Sequence, residues 1–207
     1  MLFRSVFKTA NVGVWERGEF VGVIIFASGA SPDLVKPYGL AKTEGCELVR
    51  VALRKHASAV SKMIAIAIRM LKKKMPGLRL IVSFADQEQN HHGGIYQAGG
   101  WVYTGSQTLH AYKINGKIEH PKTLHSRYGV GGQSIPWLRA NVDPGAERIR
   151  NGLKHRYLMP LDDAMRRQVQ QLARPYPKRT NAAASSEDPD VQSGQGGSTP
   201  TQPLQGA

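Results

Sequence analysis

The chain has 207 residues, 41% of them hydrophobic, which suffices for one self-folding domain with appendages. Its single cysteine, Cys46, excludes an internal disulfide framework and favours a reducing cytosol. The longest apolar run, at 21–27, is much shorter than the ~20 residues that span a bilayer, so we expect no membrane partner. The 28 Lys and Arg outnumber the 15 Asp and Glu, and the resulting net charge of +13 favours a polyanionic partner, above all nucleic acid.

The hydrophobic patterns predict an α/β domain with a mixed, largely antiparallel central sheet flanked by helices. Arg17-Gly18 and Asn115-Gly116 are typical of hairpin turns, and the helix at 58–74 has apolar residues at the i, i+3, i+4 spacing of one buried face. In chain order, the predicted elements are strands at 12–15, 20–26 and 47–53, a helix at 58–74, a strand at 78–85, a short helix at 92–99, and strands at 101–103, 108–114 and 117–120.

The composition divides the chain into three predicted parts. Residues 1–130 contain the predicted sheet and are interpreted as a catalytic domain. Residues 131–179 are rich in Gly, Pro and Arg with one helix at 162–173, which predicts a basic C-terminal extension docked on the core. Residues 180–207 contain three acids and no Lys or Arg, and are predicted to form a disordered tail.

The first candidate site is the junction between the strand at 47–53 and the helix that follows it. Unpaired amides at a helix N-terminus bind anions, and Arg54 adds positive charge beside them. The pattern Arg54-x-x-Ala57-x-Ala59 resembles the pyrophosphate loop of the GNAT acyltransferases, with Ala in place of the customary Gly. This resemblance implies acyl-coenzyme A as a possible cofactor. The candidate binding residues are Arg54, Ala57, Ser58, Ala59 and Ser61, although Ser58 is equally interpretable as a helix N-cap.

The second candidate site follows the buried strand at 78–85. Asp86, His91, His92 and Tyr96 bring carboxylate, imidazole and phenol groups within eleven residues, and a loop with one helical turn can direct them to a metal such as iron. Ligands of open α/β sheets bind beyond the carboxyl ends of the strands, which is where Asp86 lies. The alternative is structural: Asp86 or Asn90 caps the next helix, the histidines are polar loop residues, and Tyr96 packs on the sheet.

Several segments together resemble the Mom-like phage proteins that modify adenine in DNA. They are ELVRVAL, SFADQEQNHHGGIYQAGGWVYTG, KHRYLMPLD and PYPKR, and the resemblance covers roughly residues 12 to 179. It implies a GNAT-like fold, conversion of adenine N6 to a methylcarbamoyl form by an acyl or carbamoyl donor, and involvement of iron. It also implies protection of phage DNA from restriction in the bacterial host cytoplasm.

The resemblance also assigns roles to residues of the second site. The functional Asp and Tyr of the family fall on Asp86 and Tyr96, which become candidate catalytic residues together with His92. The candidate iron ligands are Asp86, Tyr96 and His91. Family members carry a His-Tyr pair before the first hairpin, and the chain begins too close to that hairpin to contain such a pair.

Three hypotheses follow for the function. The first is an enzyme that modifies adenine in double-stranded DNA, with the base flipped out of the helix because its N6 is held in pairing and stacking. The second is a GNAT-type N-acyltransferase acting on a small amine or protein, and the third is an inactive DNA-binding remnant without the His-Tyr segment. The candidate phosphate contacts are Arg127, Lys154, Arg156, Lys178 and Arg179.

Overall fold

The computed structural model describes residues 9–29, 33–87 and 91–178. Within these ranges one seven-stranded sheet has the order β1-β2-β3-β4-β7-β5-β6, in which only β3 and β4 are parallel neighbours. The predicted α/β class with a mixed, largely antiparallel sheet is therefore confirmed. The strands are β1 (Thr9–Glu16), β2 (Glu19–Ala27), β3 (Gly45–Leu53), β4 (Leu80–Asp86), β5 (Val102–Ile114), β6 (Lys117–Glu119) and β7 (Glu147–Pro160).

The described helices connect these strands and cover the sheet. The long helix begins two residues later than predicted, and its N-cap, Ala59, makes no side-chain capping bond. None of the described helices is long and apolar enough to cross a membrane. The helices are α1 (Val60–Lys74), α2 (Gly94–Ala98), α3 (Pro121–Tyr128), α4 (Ile135–Asn141) and α5 (Asp163–Gln170), with 3-10 turns at Lys36–Tyr38 and Gly129–Gln133.

Both predicted hairpins are confirmed, and their turns use the backbone conformation that the sequence indicated. Arg17 and Gly18 have φ values of 53° and 85°, and Asn115 and Gly116 have φ values of 49° and 73°. Two consecutive positive φ values give the turn a twist that matches the right-handed twist of the strands it joins. The segments predicted as strands at 101–103 and 108–114 instead form the single strand β5, with irregular pairing between them.

The sequence analysis did not predict β7, which lies in the interior of the sheet between β4 and β5. Its segment combines several charged residues with a single β-branched one, Ile149, so it does not have the composition of a buried strand. Tyr157 and Leu158 are nevertheless fully buried. The compact unit that contains the sheet consequently continues to Pro177, beyond the boundary predicted at residue 130, and the remaining unit, 178–207, is described only at Lys178.

Helices cover both faces of the sheet. α1 and α2 lie on one face, called the α1 face below, and α5 lies with the Lys36–Tyr38 turn on the other, called the α5 face. Each buried aliphatic side chain contributes about 1.5–3 kcal/mol to folding, so these layers supply most of the stabilisation. The α1 face buries Ile64, Ala67 and Leu71 against Phe26, Leu48 and Ile81, and the α5 face buries Tyr38, Met165 and Val169 against Leu80, Val82 and Leu158.

A third hydrophobic cluster forms a distal lobe, residues 112–147, at the far end of β5 and β7. Tyr112 and Ile114 pack there against Leu124 of α3 and Leu138 of α4. Alternate residues of a strand share a face, and β5 carries no extra residue from Ser106 to its end. Tyr112 and Ile114 therefore lie on the same face as Ser106, which is the α1 face, and the distal lobe covers that face.

Candidate active site at the carboxyl ends of two parallel strands

The parallel strands β3 and β4 separate partway along their length. They pair from Gly45 with Leu80 to Leu48 with Ser83, after which β3 pairs only with β2 and β4 only with β7. At the point of separation the Ser83 hydroxyl donates to the Leu48 carbonyl oxygen at 2.8 Å, across the gap. Both segments that the sequence analysis selected follow these carboxyl ends, so the topology brings them to one edge of the sheet.

Tyr96 of α2 lies over this separation on the α1 face. Its hydroxyl and that of Ser83 are 2.8 Å apart and hydrogen-bonded, and both residues are buried. Ser83 carries one proton, so when it donates to Leu48 the phenol of Tyr96 donates to Ser83. Burial raises the pKa of Tyr96, which keeps the phenol protonated. Tyr96 thus links α2 to the sheet through an aromatic ring and a buried hydroxyl.

The α1 face also contains a buried histidine, His155 of β7. His155 is 7% exposed, and its Nδ1 is 3.2 Å from the hydroxyl of Tyr103 on β5. Desolvation lowers the pKa of His155, and the nearby charge of His92 lowers it further, so the imidazole is neutral at neutral pH. A neutral imidazole held by a second polar group has the properties of a general base.

Tyr157 of β7 connects Tyr103, the partner of His155, to the loop before α2. Its ring lies 5.1 Å from that of Tyr96 and 5.3 Å from that of Tyr103, and its hydroxyl donates to the His92 carbonyl oxygen at 2.6 Å. Gly93 has a φ of 80°, and a side chain there would meet the Tyr157 ring at 2.3 Å. This close approach requires glycine and fixes the loop that carries His92.

Asp86 points away from the cluster formed by Tyr96, Tyr103, His155 and Tyr157. The regular pairing of β4 with β7 places Asp86 opposite Lys154, and alternation places both on the α5 face, whereas Ser83 and Tyr96 are on the α1 face. The structure therefore does not bring the side chains of Asp86 and Tyr96 to the same face of the sheet. His91 is exposed, and its amide donates to the Asp86 carbonyl oxygen.

Comparison with known proteins identifies the family. A model of the Mom protein family matches residues 4–178. The chain belongs to the Mom protein family. The methylcarbamoylase Mom of Escherichia phage Mu is 26% identical over 176 residues, which is 81% of this chain and 71% of that protein. The resemblance stated from the sequence is confirmed, and the chain is an enzyme of the transferase type.

A solved structure of a Bacillus subtilis acetyltransferase in complex with CoA is a more distant match. It is 14% identical, the aligned part covers 72% of this chain and 74% of the acetyltransferase, and the TM-score is 0.38.

The residues predicted to bind iron in this Mom family member do not fit that role. Among the described residues, no three or more His, Cys, Asp or Glu side chains are grouped so that they could hold a metal ion. Tyr96 directs its hydroxyl to Ser83, and its raised pKa disfavours the phenolate that a metal requires. Asp86 lies on the other face, so we derive no metal-dependent step.

The candidate pyrophosphate loop already holds an internal anion. The carboxylate of Glu16, at the end of β1, accepts from the amides of Ala57 at 2.7 Å and Ser58 at 2.9 Å. A hydrogen bond from the Ser58 side chain and these two amides lower the pKa of Glu16 to about 2. Ser58 therefore bonds to Glu16, and the N-cap of α1 is Ala59. Arg54 donates its amide to Val21, and Ser61 lies within the first turn of α1.

Of the basic residues predicted to contact DNA, Arg127 lies in the distal lobe, whereas Lys154 and Arg156 lie on the α5 face. Arg127 is paired with Glu119 at 3.2 Å and stacks on Tyr128. The Arg156 Nε donates to the Thr104 hydroxyl at 2.9 Å, on the α5 face with Lys154. Lys178 is exposed and belongs to the second unit, and Arg179 is outside the described residues.

Sequence reasoning missed His155 and Tyr103 as site residues. They lie on β7 and β5, far apart in the sequence, and they meet because these two strands pair. The usable signal was the alternation in KHRYL, where His155 and Tyr157 share a strand face while Lys154 and Arg156 share the other. That signal required recognition of β7 as a strand.

Proposed function

We propose that this Mom family member is a DNA modification enzyme that transfers a methylcarbamoyl group to the N6 atom of adenine. The observation that carries the proposal is the family match across residues 4–178, together with the relative named as a methylcarbamoylase. The biological role that goes with this activity is protection of phage DNA from restriction by the host. DNA is the polyanionic partner that the charge of +13 favours.

The chemistry requires a group that accepts a proton from adenine. The N6 lone pair is delocalised into the ring, so attack on a carbonyl carbon is helped by a base that removes an N6 proton. In this step the bond from N6 to the carbonyl carbon forms, the bond from that carbon to the leaving group breaks, and the N6 proton passes to the base. His155 is the candidate base, because it is neutral and lies on the α1 face beside the separated strands.

Tyr103 is the candidate positioning residue for this base. When Nδ1–H of His155 donates to the Tyr103 oxygen, the lone pair that accepts the proton is on Nε2. This arrangement selects the tautomer that works as a base and holds the ring in one orientation. Tyr96 and Trp101, whose rings are 5.0 Å apart, are buried in the core behind this pair and support it from inside the protein.

The donor is a small acyl or carbamoyl compound. If it is a coenzyme A thioester, its pyrophosphate must displace the Glu16 carboxylate from the amides of Ala57 and Ser58. Glu16→Gln weakens this internal competitor by removing its charge. The substitution is therefore expected to lower the KM for a thioester donor and to leave the KM of an uncharged donor unchanged.

The decisive experiment is mass spectrometry of nucleosides from plasmid DNA of cells that express the 207-residue chain. The expected product is a methylcarbamoyl deoxyadenosine that is reduced to background by His155→Gln and unaffected by His125→Gln on α3. His125 is an exposed histidine, which makes its substitution a matched control. Circular dichroism and thermal unfolding establish that both variants are folded.

A second variant tests the role of Tyr103 by enzyme kinetics, which do not depend on how much protein the cells produce. Tyr103→Phe is expected to lower kcat/KM and to move the acidic limb of its pH profile, because the imidazole loses its hydrogen-bond partner. If the DNA of cells that express the wild-type chain contained only unmodified deoxyadenosine, the proposed function would be refuted. Full activity in a folded His155→Gln variant would refute the assignment of the base while leaving the function in place.

A further inference from the structure

Among the residues that the structure describes, the cover of the α1 face is interrupted along β5 and β7. α2 lies over one end of these strands and the distal lobe lies over the other. Between them Ser106 is exposed and Thr108 and His110 of β5 are half-buried. We call this part of the face, from Ser106 to His110 on β5 and from Arg148 to His155 on β7, the trough. It opens directly beside the cluster formed by His155 and Tyr103.

Two arginines line the trough because β7 contains a bulge. Thr108 pairs with Leu153, and His110 pairs with Arg150. The same stretch therefore contains two residue steps on β5 and three on β7. Gly152 lies within this bulge and has a φ of 94°. Lys154 and Arg156 point to the α5 face, and the extra residue redirects Arg150 and Arg148 to the α1 face, opposite His110 and Tyr112.

Within the described ranges, the two carboxylates of the neighbouring strand segments, Glu147 and Glu119, are each paired with a cation. Glu147 follows the alternation to the α5 face, where it pairs with Lys113 at 3.3 Å. Glu119 lies opposite Tyr112 and is paired with Arg127. Arg148 and Arg150 are both exposed. The trough therefore presents two exposed guanidinium groups with the nearby carboxylates already matched by other cations.

The dimensions of the trough suit a short stretch of duplex DNA. The four residue steps from Ser106 to His110 span about 14 Å at ~3.4 Å per residue. This length corresponds to roughly four steps of the DNA helix at ~3.4 Å each. Guanidinium groups bind phosphate oxygens through paired hydrogen bonds, and such contacts fix the position of the duplex without reading its sequence.

We propose that duplex DNA docks in the trough, where Arg148 and Arg150 contact phosphates and hold the target base beside His155. The inference rests on the proposed function, since that function supplies the DNA substrate. It assigns the docking surface to the α1 face, whereas Lys154 and Arg156 on the opposite face do not contact the duplex.

The test compares two double variants that remove the same charge from opposite faces. One is Arg148→Ala/Arg150→Ala, and the other is Arg166→Ala/Arg167→Ala on α5, where both arginines are exposed. Binding of a fluorescent DNA duplex of random sequence is measured by anisotropy over a range of salt concentrations. Two lost phosphate contacts reduce the slope of log Kd against log salt by about 1.8 and weaken binding roughly 60-fold at ~0.1 M salt.

The expected result is this loss for the trough variant and wild-type binding for the α5 variant. Arg148→Lys/Arg150→Lys retains both charges and is expected to keep the wild-type slope, which separates lost charge from lost folding. Equal losses in the two alanine variants, or wild-type binding by the trough variant, would overturn the docking surface. If either result is found while the wild type still produces modified deoxyadenosine in DNA, only the docking surface is refuted. If the wild type neither binds the duplex nor modifies DNA, the proposed function is refuted as well.

Discussion

Gly93→Ala is expected to destabilise the candidate site strongly, and the structure supplies a matched control. Gly93 has φ and ψ of 80° and 26° and precedes α2. Gly39 has 70° and 18°, follows the Lys36–Tyr38 turn, and has no atom within 4 Å of an added Cβ. Both substitutions therefore carry the same cost of a left-handed alanine, about 1–2 kcal/mol.

Only at Gly93 does the new methyl group meet another residue. The Tyr157 ring would be 2.3 Å away, and it is fully buried between Tyr96 and Tyr103. Moving it breaks its hydrogen bond to the His92 carbonyl, at about 1 kcal/mol, and repacks a filled core, at about 1–3 kcal/mol. The total for Gly93→Ala is about 3–6 kcal/mol, against about 1–2 kcal/mol for Gly39→Ala.

Urea denaturation of the wild type and the two variants measures this difference in the free energy of unfolding. The reasoning predicts that Gly93→Ala loses about 2–4 kcal/mol more than Gly39→Ala, with an unchanged m-value. Equal losses in the two variants would show that Tyr157 moves freely. The close packing that positions His92 would then be refuted.

Three further predictions concern stability. Asp162→Ala removes the carboxylate that accepts the Met165 amide at the start of α5 and also pairs with Arg79, so thermal melts are expected to show a loss of about 1–2 kcal/mol, with little change for Asp163→Ala. Ser83→Ala leaves the buried Tyr96 hydroxyl without that partner at a cost of about 1–3 kcal/mol, and the double variant with Tyr96→Phe is expected to lose less, as measured by urea denaturation. The Glu16 carboxylate, with its pKa lowered from 4.5 to about 2, stabilises the fold above pH 4.5, and this contribution disappears as the pH falls through about 2. Melts over this range are expected to show the wild type losing its advantage over Glu16→Gln, and a constant difference would contradict the role of the carboxylate.

The parts of the fold that the sequence predicted are those set by local chemistry. Arg17-Gly18 and Asn115-Gly116 specify their turns with little help from the rest of the chain. The predicted apolar face of α1 is the buried one, since Met63, Ile64, Ala67, Ile68 and Leu71 are all in the core. β7 was missed because its burial comes from its neighbours β4 and β5, which a pattern within the strand does not reveal.

The sequence likewise predicted some features of the candidate site and not others. The segment that contains Tyr96 was selected correctly as lying beyond a buried strand, because strand ends of α/β sheets are where ligands bind. Spacing along the chain did not reveal that Asp86 lies on the α5 face, since that depends on the alternation of β4. It also did not reveal that Glu16, forty-one residues before Ala57, occupies the amides predicted for a pyrophosphate.

The position of β7 between β4 and β5 affects the chain while it is being synthesised. The sheet order joins β4 and β5 only through β7, which ends at Pro160. While the ribosome is still making the residues before 147, β4 and β5 each present an edge with unpaired backbone groups, and such edges pair readily with other chains. A nascent chain must therefore keep two half-sheets apart from their surroundings until the strand that unites them emerges.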